Sequence, residues 1–415
     1  MVKLSVLSFV VLCSSVWGAT PETSRLFEKC VDAESGVVSY KLKTGLAGEN
    51  QQSFYFTQQS MTADGRFLLF NASKNEFAHG PKPDKKKTLK FIDFEKDEIG
   101  EIPLPEKPKT GMGYLDCDKG EYWFINENGL FRRDLALAPD KDVPMVAPLP
   151  AALVAEGAFL RYAMHLTLSA DRTKAFLDAA LGDDTWVEGV IDIPSKSWTR
   201  WHKSDFELAH GQINPVLNDV AICALQFTPP EKKSSLRHWN CSKPGGVCTR
   251  IHLVRPGGET MVKIPTHATH EHWAQDGKGF IWCCNNNTVT NGHGVWYRTL
   301  EGQTPERIYP GTCTHATMSG DNRYVVFDDV VGKGFRGSGW RVGFYDRTTQ
   351  RTVFIRSKNE PLTTREKPSV LHPDPHPQFV CRDRYIISTM NNADGHMDLL
   401  VTPVAPLREL TAACR

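Results

Sequence analysis

The stretch Thr62-Ala-Asp-Gly-Arg-Phe-Leu-Leu-Phe70 decides the architecture. A small hydroxyl residue and an Asp-Gly turn lead into four or five β-formers, which is the signature of a hairpin. The same order returns in Asp116-Cys-Asp-Lys-Gly-Glu-Tyr-Trp-Phe124, Ser169-Ala-Asp-Arg-Thr-Lys-Ala-Phe-Leu177 and Asn214-Pro-Val-Leu-Asn-Asp-Val-Ala-Ile222. It returns again in Ala274-Gln-Asp-Gly-Lys-Gly-Phe-Ile-Trp282, Ser319-Gly-Asp-Asn-Arg-Tyr-Val-Val-Phe327 and Val380-Cys-Arg-Asp-Arg-Tyr-Ile-Ile-Ser388. The starts lie 45 to 61 residues apart. One hairpin per interval of that length fits a four-stranded propeller blade. Seven copies predict an all-β, seven-bladed β-propeller with antiparallel blades. Other β-rich runs, such as Thr185–Ile191 and Arg341–Tyr345, supply further strands. No amphipathic helix is expected beyond short turns. A two-domain β-sandwich is the alternative that the strand count leaves open.

The rest of the chain is consistent with one large β domain. Its 415 residues are 40% hydrophobic and 23% charged, ordinary globular values. Lys+Arg 49 against Asp+Glu 48 argues against a nucleic-acid-binding surface. Residues 1–18 read as a signal peptide: Lys3, then the apolar run 4–13, then Val16 and Gly18 before the cleavage point. That run is too short to span a membrane, and no later one is long enough. The expectation is an exported protein whose propeller occupies residues 19–415, with an uncleaved anchor as the other reading of the leader. Ten cysteines remain after the leader, an even number that permits disulfides in an exported chain. Cys241 and Cys248 bracket a loop that a disulfide would staple, and a Cys30–Cys414 bridge would fasten the two ends of the mature chain.

The repeat also provides a frame for the fourteen histidines. His165, His210, His270, His315 and His376 each stand four residues before a pattern start; Gln58 and Met112 hold that place in the first two blades. Equivalent positions in a propeller share height and radius, so these side chains should converge on one face of the central channel. Repeated blade-internal hydrogen bonding is the competing explanation, but the neighbours Gln212, Glu271, His272, Asp374 and Gln378 are polar, unlike those of a packing element. Imidazoles gathered this way suit a divalent metal and proton abstraction. His315 and His376 on adjacent blades can share an ion, with His372 and Asp374 as further ligands. His270 lies beside them as the candidate base, and Arg250 is placed to pair with a substrate carboxylate. Trp273, His272 and Gln212 adjoin the base and are the candidate substrate contacts.

Phe54-Tyr55-Phe56 with the first repeat, Ala209-His210-Gly-Gln-Ile-Asn-Pro215, Thr269-His270-Glu271-His272-Trp273, Cys313-Thr-His315 and Asp374-Pro-His376-Pro-Gln-Phe379 together resemble the oligogalacturonate lyase family. The resemblance implies a seven-bladed propeller that cleaves uronates by β-elimination. It implies that His270 is the base, that Arg250 lies in the site, and that His315 and His376 hold a divalent metal, manganese in that family. Zinc or calcium are the alternatives. The family's third metal histidine falls on Asp374 and its glutamine on Leu371, with His372 or Gln378 as substitutes. Those lyases are usually cytoplasmic. The export signal and His165 point instead toward the secreted ulvan lyases, in which His165, His210 and Arg250 would take the catalytic parts. The expected substrate is therefore an acidic poly- or oligosaccharide, a pectin-derived galacturonate oligomer or ulvan. A non-catalytic glycan- or protein-binding propeller and a metal-dependent hydrolase are the competing functions.

Overall fold

The computed structural model describes residues 18–46, 50–73, 87–103, 110–138, 141, 143–183, 185–204, 207–225, 250–262, 268–284, 292–302, 304–331, 339–359, 374–392 and 396–412. Residues 1–17 of the expected leader 1–18, the Cys241–Cys248 loop, His372 and Cys414 lie outside them.

The chain is a seven-bladed β-propeller of mainly four-stranded antiparallel sheets. Blades 1 to 6 begin at Asn50, Tyr114, Phe159, Leu208, Thr269 and Ala316. Blade 7 combines the last three strands, Gln378–Val380, Tyr385–Asn391 and Met397–Pro403, with two N-terminal strands, Val38–Leu42 and Phe27–Val31. The ring therefore closes by strand pairing. Tyr40 opposes Val401 and Lys41 opposes Leu400, and the Ser39 and Thr402 hydroxyls meet at 2.8 Å. Among the described residues no helix is long and apolar enough to cross a membrane. One short helix, Val404–Thr411, escapes the strand-based reading. It buries Val404, Leu407 and Thr411, and the Thr349 hydroxyl donates to the Thr411 carbonyl.

The recurrent motif has a local cause. Thr62 donates to Asp64 Oδ1 at 2.6 Å, the same carboxylate oxygen accepts Arg66 N–H, and Phe67 N–H returns to Thr62 Oγ1. Ser169, Asp171, Thr173 and Lys174 repeat these bonds, as do Ser319, Asp321, Arg323 and Tyr324. Hydroxyl and aspartate tie off the backbone of a turn whose donors would otherwise be unpaired. The β-formers that follow are the second strand of each blade, buried on both faces, as in Phe67–Ser73 and Tyr385–Asn391. Their apolar side chains fill the gaps between blades; one such cluster joins Phe27 and Leu42 to Phe70, Ile92 and Val401.

Candidate active site on the channel axis

The five histidines converge because the inner strands deviate from regular pairing where those residues stand. In blade 4, Ala209 opposes Ala224 and Gln212 opposes Ile222, so His210 and Gly211 face Cys223 alone. In blade 5, Thr269 opposes Cys283 and His272 opposes Ile281, so His270 and Glu271 face Trp282 alone. Both are bulges, and both put the histidine in the left-handed region, φ 57° at His210 and 56° at His270. His376 is left-handed too, at φ 46°. A non-glycine residue held there costs roughly 1–2 kcal/mol, a strain characteristic of functional positions. In blade 3 the inner run leaves its own sheet: Ala163–His165 pairs in parallel with Thr110–Met112, setting His165 opposite Met112. His315 sits just ahead of blade 6's inner strand, Ala316–Met318.

Blade 1 fills the middle of this ring. After its short inner strand Asn50–Gln52, the chain carries Tyr55 and Phe56 to the axis. The Tyr55 ring centroid lies 5.1 Å from His165, 5.7 Å from His210, 5.8 Å from His315 and 4.8 Å from His376. Phe56 lies 5.9 Å from His270 and 5.2 Å from His315. The rings of His270 and His315 approach to 4.1 Å, those of His315 and His376 to 4.4 Å, and those of His165 and His210 stack at 5.4 Å.

Two groups of polar contacts divide the ring. In the first, Glu271 accepts from His210 Nδ1 at 3.1 Å and from Arg250 Nε at 3.3 Å. Burial would raise this carboxyl, but Arg250 and His210 prevail and hold it at about 2. In the second, ligand atoms of His315, Asp374 and His376 lie within 4.8 Å of one another, all buried. Asp328 orients this group: its carboxylate takes His315 Nδ1 at 2.9 Å, His315 N–H at 2.8 Å and His376 N–H at 3.1 Å. With Nδ1 committed, His315 has Nε2 left for a ligand role, and the carboxylate makes it more basic. Two imidazoles and one carboxylate fit a divalent transition ion.

His270 stands between the two groups and is partly exposed. Burial, and then the neighbouring His315, push its pKa well below the ordinary imidazole value, and its buried Nδ1 has no hydrogen-bond partner among the described residues. It is a neutral acceptor at pH 7. His165 is likewise held neutral, by burial first and then by His210, with Thr57 Oγ1 at 3.2 Å from its Nδ1. Burial raises Tyr55 well above the ordinary phenol value, so its hydroxyl keeps the proton.

The three expected substrate contacts take other places. Trp273 is 3% exposed, packs edge-on against Phe280, and donates its indole N–H to Gln212 O. That makes it a packing residue instead of a sugar-stacking platform. Gln212 has both ends of its amide engaged, with His272 Nδ1 at 2.9 Å and with the Glu271 and His210 carbonyls. His272 and His270 both meet Phe56 edge-on, at 6.0 and 5.9 Å. All three border a cavity of about 350 Å³ whose walls include the turn residues Ala63, Asp118 and Ala170, so it opens at the turn-bearing mouth and contains none of the five register histidines. Gln378, a substitute ligand on sequence grounds, is spent on Ser60 and on the Phe54 carbonyl. Three central residues, Tyr55, Glu271 and Asp328, were not singled out as site residues. An acid inside the buried strand Tyr324-Val-Val-Phe-Asp-Asp-Val-Val331 is a signal that could have revealed Asp328.

No family model matches the chain, and no curated protein matches it. Among solved structures, an oligogalacturonate lyase in complex with manganese is 16% identical, with a TM-score of 0.67 over 91% of this chain and 96% of that one. An oligogalacturonate lyase from Vibrio parahaemolyticus is 17% identical, with a TM-score of 0.69 over the same shares. A puromycin-hydrolyzing peptidase from Mycobacterium tuberculosis is 13% identical, with a TM-score of 0.54 over 85% of this chain and 55% of that one. At these identities the likeness shows a shared propeller fold, whose hosts carry out different reactions.

Proposed function

We propose that this propeller is an exported polysaccharide lyase that cleaves uronate-containing poly- or oligosaccharides by β-elimination. The observation that carries the reading is the juxtaposition of a neutral, partly exposed histidine, His270, with the His315–Asp374–His376 group on one side and the Arg250–Glu271–His210 group on the other. A uronate's C5 proton is too weakly acidic to leave until the adjacent carboxylate is neutralised. A divalent ion held by His315, Asp374 and His376 would supply that neutralisation when bound, manganese by analogy with the similar lyase structure. Arg250, whose charge also acts on His270, adds further positive charge, and Glu271 fixes its direction. His270 takes the C5 proton at Nδ1, which has no hydrogen-bond partner among the described residues. Electrons from the C5–H bond form the C4–C5 double bond as the C4–O bond breaks. The Tyr55 hydroxyl, protonated and on the axis among the histidines, is the group placed to protonate the departing oxygen.

A hydrolytic glycosidase fits less well. It needs two carboxyls free to face the substrate, one of them raised to act as acid, whereas Glu271 is held ionised by Arg250 and His210, and Asp328, which burial does raise, is spent on His315 and His376. The export leader supports action outside the cytoplasm, which favours a polymer-derived substrate. Galacturonate oligomers and ulvan form the two arms of the test. Purified protein is incubated with each, with and without added divalent metal, while ultraviolet absorbance is followed. A rise from the conjugated double bond on one substrate, abolished in His270→Ala, is the expected result. Metal binding without any rise on either substrate refutes the lyase.

A further inference from the structure

Away from the axis, a second polar group lies in the otherwise apolar packing between blades 3 and 4. Glu188 comes from the strand Trp186–Asp192, Cys223 from Ala221–Leu225 and His252 from Ile251–Arg255. All three are 0% exposed. Their ligand atoms lie within 4.8 Å of one another, with His252 Nε2 at 3.3 Å from Glu188 Oε2. Cys223 and His252 are directly opposed across adjacent strands of blade 4, and Glu188 reaches them from blade 3. Glu188 and His252 each interrupt a run of buried apolar residues, so strand propensity and packing explain neither of them.

Glu188 gathers the other two, with His252 Nε2 at one of its oxygens and the Cys223 thiol hydrogen-bonded to it, so the three donors already converge. A buried carboxylate needs its charge and its lone pairs satisfied, yet Glu188 Oε1 has no hydrogen-bond partner among the described residues. Burial and the Glu188 carboxylate raise the Cys223 thiol well above its ordinary value, so an entering ion must displace the thiol proton; carboxylate, thiolate and neutral imidazole then carry two negative charges, the balance for one divalent cation. Their chemistry is selective as well: a thiolate beside an imidazole favours zinc-like ions and disfavours manganese, magnesium and calcium. A buried site without an open face is structural. His202, opposite Glu188 on the next strand and partly exposed, has its ring 6.3 Å from that of His252.

We propose that Glu188, Cys223 and His252 form a structural site for a zinc-class divalent ion that ties blade 3 to blade 4, separate from the axial His315–Asp374–His376 group. Cobalt(II) tests it without reference to catalysis, because only a thiolate ligand produces a sulfur-to-cobalt charge-transfer band in the near ultraviolet. The purified chain is stripped with chelator and titrated with Co²⁺ under reducing conditions, with bound metal counted by elemental analysis. The expected result is a charge-transfer band in the wild type that persists in His315→Ala, and that disappears in Cys223→Ser together with one equivalent of metal. Chelation should also lower the wild-type Tm and leave that of Cys223→Ser unchanged. The site is refuted if the wild type gives no such band, or if the band survives Cys223→Ser. Should Cys223→Ser fail to fold, Glu188→Gln takes its place, with the wild-type titration still decisive: bound Co²⁺ must weaken in the variant by at least tenfold, and unchanged affinity overturns the assignment.

Discussion

Replacing Glu271 with glutamine removes the one negative charge that Arg250 and His210 share, with little change of volume. The cost at neutral pH follows from the depression of the carboxyl, from 4.5 to about 2. At 1.36 kcal/mol per unit this is about 3 kcal/mol, at the lower edge of the ~3–5 kcal/mol usually lost when a buried pair is broken. A folded domain of this size gains entropy on unfolding at roughly 0.8 kcal/mol per degree, so the variant's Tm should fall by about 4 °C. The pH dependence is more specific than the size. A carboxyl depressed in the folded state contributes its stability above the unfolded value of 4.5, and that contribution is lost as pH falls toward 2. Calorimetric melts at closely spaced pH values between 7 and 3 should show the wild type and Glu271→Gln converging below pH 4.5. A Tm difference that stays constant across that window would show that the loss comes from packing or polarity, and would refute the ion-pair account.

Three further outcomes follow. Asp328→Asn should weaken divalent-metal binding at the axis about 10- to 100-fold in calorimetric titration, because Asp328 orients His315 without being a ligand; unchanged affinity would remove that role. At position 270 the left-handed backbone should make His270→Val markedly less stable than His270→Asn in denaturant unfolding, by about 1–2 kcal/mol, and equal stability would argue against the bulge. His272 is held at about 4 by burial, so it stays neutral in the fold while the unfolded chain takes up its proton below about 6.5; the resulting stability is present above 6.5 and lost as pH falls toward 4, up to about 3 kcal/mol, and His272→Gln should flatten that slope in urea titrations.

The number of blades and the height of the histidines were legible because both depend on the repeated turn. Thr62 and Asp64 bond within one hairpin, and so do Ser169 with Asp171 and Ser319 with Asp321, so the motif marks blade boundaries without tertiary information. The grouping of His315 with Asp374 and His376 followed from register and blade adjacency. Other features depend on distances that no register encodes. Tyr55 reaches the axis because the inner strand of blade 1 is interrupted. Trp273, three residues after His270, turns into the blade because alternate strand residues point to opposite faces. The bulge at His270 and Glu271 disturbs that alternation, which is why Glu271 was read as a flanking residue when it is the centre of an ion-pair group.

Five imidazoles within one channel would repel one another if all were protonated, and the carboxylates are unevenly distributed among them. His210 has Glu271, His315 has Asp328, and His376 has Asp374 at 3.9 Å. His165 and His270 have no carboxylate of their own, and burial beside other histidines drives both well below the ordinary value. Acid-paired histidines are thereby fixed in orientation, which suits holding a metal or positioning Glu271. The two left without an acid remain neutral and able to accept a proton. Of these, His165 is 4% exposed and stacked on His210, whereas His270 is the one that meets solvent. The assignment of His270 as base therefore has support in the distribution of carboxylates, in addition to its resemblance to a motif. It also means that an aspartate introduced beside His270 would raise the imidazole and convert a neutral acceptor into a cation, removing activity at neutral pH even where the fold and the metal group are intact.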